Sequence, residues 1–320
     1  MEHPMSGSAE EISLHGIASI ERITGISKDT LRIWERRYGF PSPYRDECGE
    51  RLYPDAQVKR LILLKRLLDA GFRPGRIVAA TPDELEKLLA ESHARRLKQA
   101  GSSTLAVPEL ASYISLLRTH EVELLRQRLA QAIIRMGLAA CIKDLIAPLT
   151  TAVGEAWMHG ELQVFEEHIY SESLQQVLRP AIHGVQRATP DGGPRVLLTT
   201  LPGEQHGLGL LMVEALLTLE GCRCLSLGVQ TPPGDIVQAA LVQKTDIVGL
   251  SFTGRLSAAA LLDELRSLRA RLPAEIALWA GGRAAALRRC PPGVRPMREL
   301  ADLAPALAEW TCRSRLPLPA

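Results

Sequence analysis

The feature that most constrains the fold is a change of apolar period after residue 194. From there onward, short apolar runs alternate with amphipathic stretches of helical spacing. The strand-like runs read RVLLTTL, CRCLSLG, DIVGLSF and EIALWAGG, with a weaker strand near Val294. Strands that alternate with helices predict a parallel sheet with helices on both faces. Residues 189–320 are therefore expected to form an α/β domain of the flavodoxin-like (Rossmann-like) kind.

The segment before this domain is helical in pattern. Residues 108–188 carry apolar side chains at helical spacing, with breaks near Gly137, Gly160 and Pro180. This pattern predicts a bundle of roughly four packed helices.

A linker is predicted over residues 92–107 (SHARRLKQAGSSTLAV). Gly101 and the three small polar residues after it follow the end of a helical pattern, and Pro108 opens the next one. The segment 12–91 is then a separate N-terminal domain, so the chain holds three modules in series.

Charge is distributed unevenly between these modules. The net charge is only +2, which by itself argues against nucleic-acid binding. Between Arg22 and Arg76, however, 13 Lys or Arg stand against 7 Asp or Glu, and the rest of the chain sums to −4. A basic segment hidden by averaging indicates that the N-terminal domain binds nucleic acid.

This basic segment has the pattern of a helix-turn-helix. A short helix over 16–23 is followed by a turn at Thr24 and Gly25, and Ser27 is a good N-cap for a second helix over 28–38. On that second helix Arg32 and Arg36 are four residues apart and share a face, which suits contacts with a DNA groove and its phosphates.

A winged extension follows. The stretch 39–53 is rich in Gly, Pro and turn-forming residues and predicts a β-hairpin, in which Arg45 and Arg51 are available for phosphates. Residues 55–70 and 74–80 are expected to supply supporting helices.

The segment from 12 to 80 resembles the winged-helix domain of MerR-type transcription regulators. The matching residues are Thr30-Leu31-Arg32-Ile33-Trp34-Glu35-Arg36-Arg37-Tyr38-Gly39, then Pro41, Pro43, Arg45, Gly49, Arg51 and Tyr53. The resemblance implies binding to a double-stranded DNA operator. The expected DNA-binding residues are Lys28, Arg32, Trp34, Arg36, Arg37, Arg45, Arg51 and Tyr53.

The first β-α turn of the C-terminal domain contains a candidate metal ligand, His206. Ligands of open α/β sheets bind at the carboxyl ends of the strands, where this loop lies. Glu204 could accept the proton of the other imidazole nitrogen, and Gly209 lets a bulky group approach the helix. With one histidine there is no closed zinc site. A metal that brings its own equatorial ligands is therefore expected, and both corrinoid cobalt and haem qualify.

Residues 203–209 are similar to the Glu-x-His-x-x-Gly form of the cobalamin-binding signature. Ser251 ends the third strand and Gly281-Gly282 follow the fourth, as in cobalamin-binding domains, whereas Thr253 departs from the commonest motif, which has Leu. The resemblance implies that His206 replaces the cofactor's own base as the lower ligand of cobalt. It also implies that the nucleotide tail threads between sheet and helix, where small residues leave room.

The helical segment carries a third pattern, in which Trp157 is followed after nine residues by Glu167-His168. With the other motifs, it resembles the four-helix cap of MerR-type, cobalamin-dependent photoreceptor regulators, the CarH/LitR type. There the Trp, Glu and His cover the upper face of the cofactor. Some members have a His directly after the Trp, which captures cobalt after illumination. Here that position is Met158, so His159 and His168 are the candidate upper ligands.

The resemblance implies a transcription regulator, and not an enzyme, that represses its operator as a homo-oligomer (dimer or tetramer). Adenosylcobalamin would hold the oligomer together in the dark and light would separate it; methylcobalamin is the alternative cofactor. The other hypotheses are a light-independent cobalamin sensor, a corrinoid carrier for methyl transfer, and a DNA-binding protein with an empty cobalamin fold.

Composition and termini predict a cytoplasmic protein without a membrane span. The six cysteines show no CxxC pair, which favours reduced thiols over a zinc ribbon. The first ten residues lack a secretory signal, and no apolar run reaches the length of a bilayer crossing.

Overall fold

The protein is represented by a computed structural model, which describes residues 14–24, 26–69, 72–97, 107–188, 193–254 and 256–314. The chain divides into two compact units, residues 1–101 and 102–320. Gly25, in the predicted turn, and residues 12, 13 and 189–192 lie outside the described residues. Among the described residues no helix is both long and apolar enough to span a bilayer.

The N-terminal unit is a winged helix-turn-helix. Its elements are β1 (Leu14–Gly16), α1 (Ile17–Thr24), α2 (Lys28–Tyr38), β2 (Tyr44–Arg45), β3 (Arg51–Pro54), α3 (Asp55–Asp69), α4 (Pro74–Ile77) and α5 (Pro82–Leu97). The predicted hairpin is confirmed as β2 and β3, which pair antiparallel. Strand β1, which the sequence did not predict, adds to the other edge of β3. Helix α4 is shorter than the predicted 74–80.

The prediction that a linker begins at residue 92 is wrong. Helix α5 continues to Leu97, because residues 92–97 contain neither Gly nor Pro and are mostly good helix formers. The rest of the predicted linker, residues 98–106, lies outside the described residues.

The C-terminal unit opens with the predicted four-helix bundle. Its helices are α6 (Val107–Arg118), α7 (Val122–Met136), the contiguous α8 (Leu138–Ala140), π-helical turn (Cys141–Ile146) and α9 (Ala147–Met158), and then α10 (Val164–Ala188). The breaks at Gly137 and Gly160 are confirmed.

The predicted break at Pro180 is wrong, since this residue lies inside α10. Pro180 and Gln176, whose carbonyl loses its helical partner, are both exposed, so water can replace the missing bond. The unpredicted break falls between α6 and α7, where His120 has a left-handed φ of 58°. The sequence around it contains neither Gly nor Pro and gave no signal.

The α/β part follows the predicted alternation. Its elements are β4 (Arg195–Thr199), α11 (Leu208–Leu219), β5 (Arg223–Ser226), α12 (Pro233–Val242), β6 (Ile247–Phe252), α13 (Ala258–Arg271), β7 (Ala277–Gly282), β8 (Val294–Met297) and α14 (Leu303–Ser314). All strands are parallel, in the order β5-β4-β6-β7-β8. This is the flavodoxin-like order, so the predicted fold class is confirmed.

The bundle and the sheet share one hydrophobic core. Val196 and Leu198 of β4 face α11 and the bundle, whereas Leu197 between them faces the opposite layer. Helix α11 is apolar on nearly all sides (LGLLMVEALLTL) because α10 covers the side that the sheet does not. The bundle is thereby fixed next to the loop that follows β4.

Candidate functional site

Helix α2 presents the basic face of the N-terminal unit. The Ser27 hydroxyl accepts a hydrogen bond from the Thr30 backbone N–H at 3.2 Å, and Gly39 ends the helix in a left-handed conformation. Leu31 and Trp34 are buried and fix the rotation of the helix. The opposite face therefore points outward.

The outward face carries the predicted cationic residues. Arg36 and Arg37 are exposed, and Arg32 forms an exposed ion pair with Asp29 at 3.3 Å. The Nζ atom of Lys28 lies 3.6 Å from Oε2 of Glu21. Exposed pairs of this kind are weak, so these cations can exchange their partners for phosphates.

The wing is braced against α2 by Arg51. Its Nε donates to Glu35 Oε2 at 2.8 Å, and both side chains are partly buried. Arg45 is exposed at the other wing strand, and its guanidinium donates to the Gly49 carbonyl at 3.1 Å. Arg51 therefore sets the position of the wing, while Arg45 is the wing cation that faces solvent.

Two predicted DNA-binding residues are core residues instead. Trp34 is 3 % exposed and Tyr53 is 0 % exposed, and both belong to the hydrophobic core of the N-terminal unit, which we call the head. Burial raises the pKa of Tyr53. Side chains without accessible surface cannot reach a base or a phosphate, so the prediction of direct DNA contact is wrong for both.

The loop after β4 places His206 on a buried carboxylate. Glu204 is 0 % exposed, whereas the His206 side chain is 47 % exposed. His206 Nδ1 lies 3.0 Å from Glu204 Oε1. The Thr253 N–H donates to Glu204 Oε2 at 2.7 Å, and the Thr253 hydroxyl lies 2.8 Å from both carboxylate oxygens.

This arrangement favours the ionised form of Glu204 and sets which ring nitrogen of His206 faces the carboxylate. Burial by itself raises the pKa of Glu204, but hydrogen bonds from His206 and Thr253 outweigh it and the net pKa is lowered. An ionised carboxylate only accepts hydrogen bonds, so Nδ1 of His206 is the donor. In the neutral imidazole, Nε2 is then the nitrogen whose lone pair a metal can accept.

A second loop, residues 228–231, borders the His206 loop, and the sequence singled out Gly228 at its start but neither Val229 nor Gln230. Thr200 joins the two loops, because its hydroxyl donates to the Glu204 carbonyl at 2.6 Å and accepts from the Gln230 N–H at 2.8 Å. Val229 is partly exposed and lies against Gly207. Gln230 has a left-handed φ of 60°, which the sequence did not signal.

The predicted small residues lie where elements of the α/β part pass close to one another. A Cβ on Gly209 would lie 3.2 Å from the Ser251 hydroxyl, so the start of α11 passes close to the end of β6. A Cβ on Gly282 would lie 2.2 Å from the Phe252 carbonyl oxygen, and one on Gly281 would lie 3.2 Å from Met297. The Phe252 backbone therefore suffices to require glycine at position 282, whereas a side chain at position 281 would meet a tight contact with Met297.

The predicted cap residues lie at the end of α9 and the start of α10. Trp157 packs against the shared core, and Met158 and His159 follow it. Glu167 accepts from Ser171 at 2.9 Å and lies 3.7 Å from His168, which is exposed. The neighbouring Glu166 holds the start of α10 in place, since it accepts from the Gln163 N–H at 2.6 Å and its Oε1 lies 3.1 Å from His120 Nε2.

Helix α9 passes the carboxyl edge of the sheet. Arg283, directly after β7, donates to the Thr151 hydroxyl of α9 at 3.5 Å. Trp157 lies six residues further along the same helix. The bundle and the His206 loop thus flank the same edge of the sheet.

The donor set fits a metal that carries its own equatorial ligands. Within the described ranges there is no cluster of three or more His, Cys, Asp or Glu that could hold a bare ion. What the fold offers instead is one oriented imidazole beside a close approach of helix and sheet. Cobalamin fits this set, because its corrin ring leaves only the axial positions of cobalt to the protein.

Comparison with protein families agrees with this geometry. Residues 17–83 match the MerR HTH family regulatory proteins. Two models of a B12 binding domain match residues 110–179 and 194–289, which are the bundle and the α/β part. Each predicted module therefore has its own family match.

Individual proteins match over most of the chain. The HTH-type transcriptional repressor CarH of Myxococcus xanthus is 32 % identical over 82 % of this chain and 87 % of its own length. The repressor CarA of the same organism is 31 % identical over 86 % of this chain and 83 % of its own. The monomethylamine corrinoid protein of Methanosarcina barkeri has a similar fold over 64 % of this chain and 99 % of its own, with a TM-score of 0.50 and 16 % identity. The chain thus belongs to the CarH-type family of MerR-type, cobalamin-binding transcription regulators.

Proposed function

We propose that this regulator is a repressor whose affinity for its operator is set by adenosylcobalamin and by light. The observation that carries the proposal is the oriented His206–Glu204 pair in a chain whose head presents a basic helix. The names of its relatives CarH and CarA, both transcriptional repressors, support repression rather than activation.

The residues of the α/β part have separate roles in this proposal. His206 would ligate cobalt through Nε2, and Glu204 would hold the imidazole in the tautomer that this requires. Gly209 and Ser251 lie where α11 passes close to β6, and as small residues they would admit the nucleotide tail there, while Gly281 and Gly282 shape the neighbouring edge. When bound, adenosylcobalamin supplies a light-sensitive cobalt–carbon bond.

The cap residues would cover the upper face of the cofactor. Trp157 offers a flat apolar surface, and Glu167 and His168 offer a polar pair at the start of α10. Loss of the upper group would change what these three residues contact. Because α9 and α10 belong to the bundle, such a change reaches its outer surface.

The link to DNA would be multivalent. A single head with a few exposed arginines binds phosphates weakly at physiological salt. A dimer or tetramer that joins several heads raises their effective concentration and binds one operator tightly. Separation of the oligomer in light would then release the DNA without any change in the heads.

A light-independent cobalamin sensor is the second candidate, and Met158 favours it. This position follows Trp157, and a thioether is a poor ligand for trivalent cobalt. A regulator without an adduct after illumination would respond to the presence of cobalamin in any form. A corrinoid carrier for methyl transfer is disfavoured, because such a carrier has no use for the basic head.

The test is gel filtration and operator binding with purified protein loaded with adenosylcobalamin, in the dark and after green light. The operator is first obtained by selection from random duplex DNA. We expect an oligomer that binds DNA in the dark and a smaller species with weaker binding after illumination. Equal DNA binding with adenosyl-, methyl- and hydroxocobalamin, unchanged by light, would favour the sensor instead.

The His206→Ala variant tests the ligand assignment separately. We expect it to bind cobalamin at least tenfold more weakly and to lose the absorption spectrum of histidine-ligated cobalt. An identical spectrum in wild type and variant would show that His206 is not the ligand.

A further inference from the structure

Thr253 was predicted to contact the cofactor. Its hydrogen bonds in the structure are instead with the carboxylate of Glu204, which in turn contacts His206. Thr253 lies in the loop after β6, where the Ser251-x-Thr253 segment has a hydroxyl in place of the more common Leu. Its N–H reaches Glu204 Oε2 at 2.7 Å, and its hydroxyl lies 2.8 Å from both carboxylate oxygens. A leucine would keep the backbone bond and lose the hydroxyl bond.

The burial of Glu204 makes this hydroxyl important. A carboxylate with no exposed surface has no water to fill its lone pairs, so each must be met by a protein donor or remain unsatisfied. The donors described here come from His206 and from Thr253. Loss of the hydroxyl therefore leaves His206 and one N–H to hold a fully buried charge.

The position of the Glu204 carboxylate in turn fixes the imidazole. His206 is about half exposed, and the contacts described for its ring are the 3.0 Å bond to Glu204 and a long approach of 3.5 Å to the Thr253 hydroxyl. A carboxylate that can rotate no longer holds the ring in one orientation. The direction of Nε2 would then vary.

We propose that Thr253 is a positioning residue, whose hydroxyl locks the Glu204 carboxylate so that His206 presents Nε2 to cobalt. This inference rests on the proposed ligand role of His206. It assigns to Thr253 no contact with the cofactor itself, in contrast to the expectation from the sequence. It also links the ligand to the β6–α13 loop, since Thr253 directly follows the strand that carries Ser251.

Three variants of the full chain test the proposal. Thr253→Val removes the hydroxyl and keeps the shape, Thr253→Ser keeps the hydroxyl, and Ser257→Ala is the matched control. Ser257 is four residues further along the same loop, and its hydroxyl caps α13 by accepting from the Ala260 N–H at 3.2 Å. The control therefore perturbs the loop and the helix without touching Glu204.

The measurements are the dissociation constant for methylcobalamin in the dark and the fraction of bound cobalamin with the histidine-ligated spectrum. We expect Thr253→Val to weaken binding about tenfold, the size found for residues that support a metal ligand, and to lower the ligated fraction. Thr253→Ser should lie within about twofold of wild type and keep the spectrum. Ser257→Ala should lower thermal stability and leave both measurements unchanged.

A double-mutant cycle with His206→Ala isolates the pathway. If Thr253 acts through His206, removing the histidine should cost severalfold less affinity in the Thr253→Val background than in wild type. Additive effects would overturn the proposal, and so would an unchanged spectrum in Thr253→Val or a spectral change in Ser257→Ala alone. Should Thr253→Val not fold, Thr253→Ala removes the same hydroxyl and takes its place.

The proposed function fails in a different way. If wild type binds no cobalamin, or binds it with a spectrum that His206→Ala does not change, then the ligand assignment itself is wrong. If wild type depends on His206 and Thr253→Val matches wild type, only the role of Thr253 is wrong.

Discussion

At the scale of the residue, burial decides what a motif residue can do. Trp34 and Tyr53 belong to the MerR-type pattern, yet their exposure of 3 % and 0 % makes them core residues that fix α2 and the wing. Arg32, Arg36 and Arg37 come from the same pattern and lie outward. A sequence motif records both kinds of residue without distinguishing them, because both keep the head in its DNA-binding form.

Tyr53→Phe tests this assignment. Within the described residues the Tyr53 hydroxyl is buried without a hydrogen-bond partner. Removing it should raise the free energy of unfolding of the head by about 1 kcal/mol, because an unsatisfied buried hydroxyl is costly. Urea unfolding followed by fluorescence measures this. DNA affinity should not change; a clear loss of affinity with unchanged stability would restore Tyr53 as a DNA contact.

At the scale of the element, two contacts between neighbouring segments shape the sites. The Arg51–Glu35 bond joins the wing to α2, so the hairpin and the basic helix move together. At the other end of the chain, β6 and β7 approach so closely at Gly282 that no side chain fits. Each contact positions residues that the proposed function uses.

The bond between wing and helix should appear as a coupling between Arg51 and Glu35. We expect Arg51→Met and Glu35→Gln each to destabilise the head, with a coupling free energy of about 1 kcal/mol, since the pair is partly buried and well aligned. Both variants should also weaken DNA binding, because the wing is no longer fixed. Arg45→Met is the control, and it should lower the salt dependence of DNA binding with little effect on stability. Additive stabilities of the two single variants would contradict this role.

Gly282→Ala should destabilise the C-terminal unit by about 2 kcal/mol. The new Cβ would lie 2.2 Å from the Phe252 carbonyl oxygen, and φ at this position is 112°, which disfavours any side chain. Gly184→Ala is a control of opposite sign, because this exposed glycine within α10 has open space around it and Ala favours a helix by roughly 0.5–1 kcal/mol. Thermal unfolding measures both. Equal effects of the two variants would show that the close approach of β6 and β7 is not rigid.

At the scale of the whole molecule, the bundle and the α/β part behave as one body. Their shared core runs from the bundle through α11 to one face of the sheet. A change in the packing of the cap residues would therefore alter the packing of the sheet, and a change in the sheet would alter the packing of the cap. The head is a separate unit with its own core. This agrees with the proposal that the C-terminal units assemble and thereby bring several heads together on one operator.

Glu214 lies on α11 where this helix packs against α10, and substituting it tests the electrostatics of that contact. Burial raises the pKa of this carboxyl, and the charges of Arg179 and His183 on α10 only partly offset it. A raised pKa means that the ionised form destabilises the fold, and this cost grows as pH rises through the folded-state value. Glu214→Gln should therefore raise the stability of the C-terminal unit at pH 7 and leave it unchanged near pH 4. The exposed Glu264→Gln is the control and should have no effect at either pH; a loss of stability in Glu214→Gln at pH 7 would contradict the prediction.

The sequence by itself determined the order of modules, the parallel sheet and the identity of the metal-ligand candidate. These depend on local information: period, turn residues and short motifs specify which segment is helix or strand, and Glu204-x-His206 lies within one loop. The same locality explains the errors. Neither the helical break at His120, which lacks Gly and Pro, nor the tolerance of Pro180 inside α10 has a local signal.

Only the tertiary structure decided which residues share a site. Thr253 and Glu204 are 49 positions apart, and Thr200 meets Gln230 across 30, so no periodicity connects them. Parallel strands bring their carboxyl ends to one edge, and only there does a threonine hydroxyl meet a buried carboxylate. The burial of Trp34 and Tyr53 was decided in the same way, because a solvent-exposed surface is defined by how all the elements pack and not by any one segment.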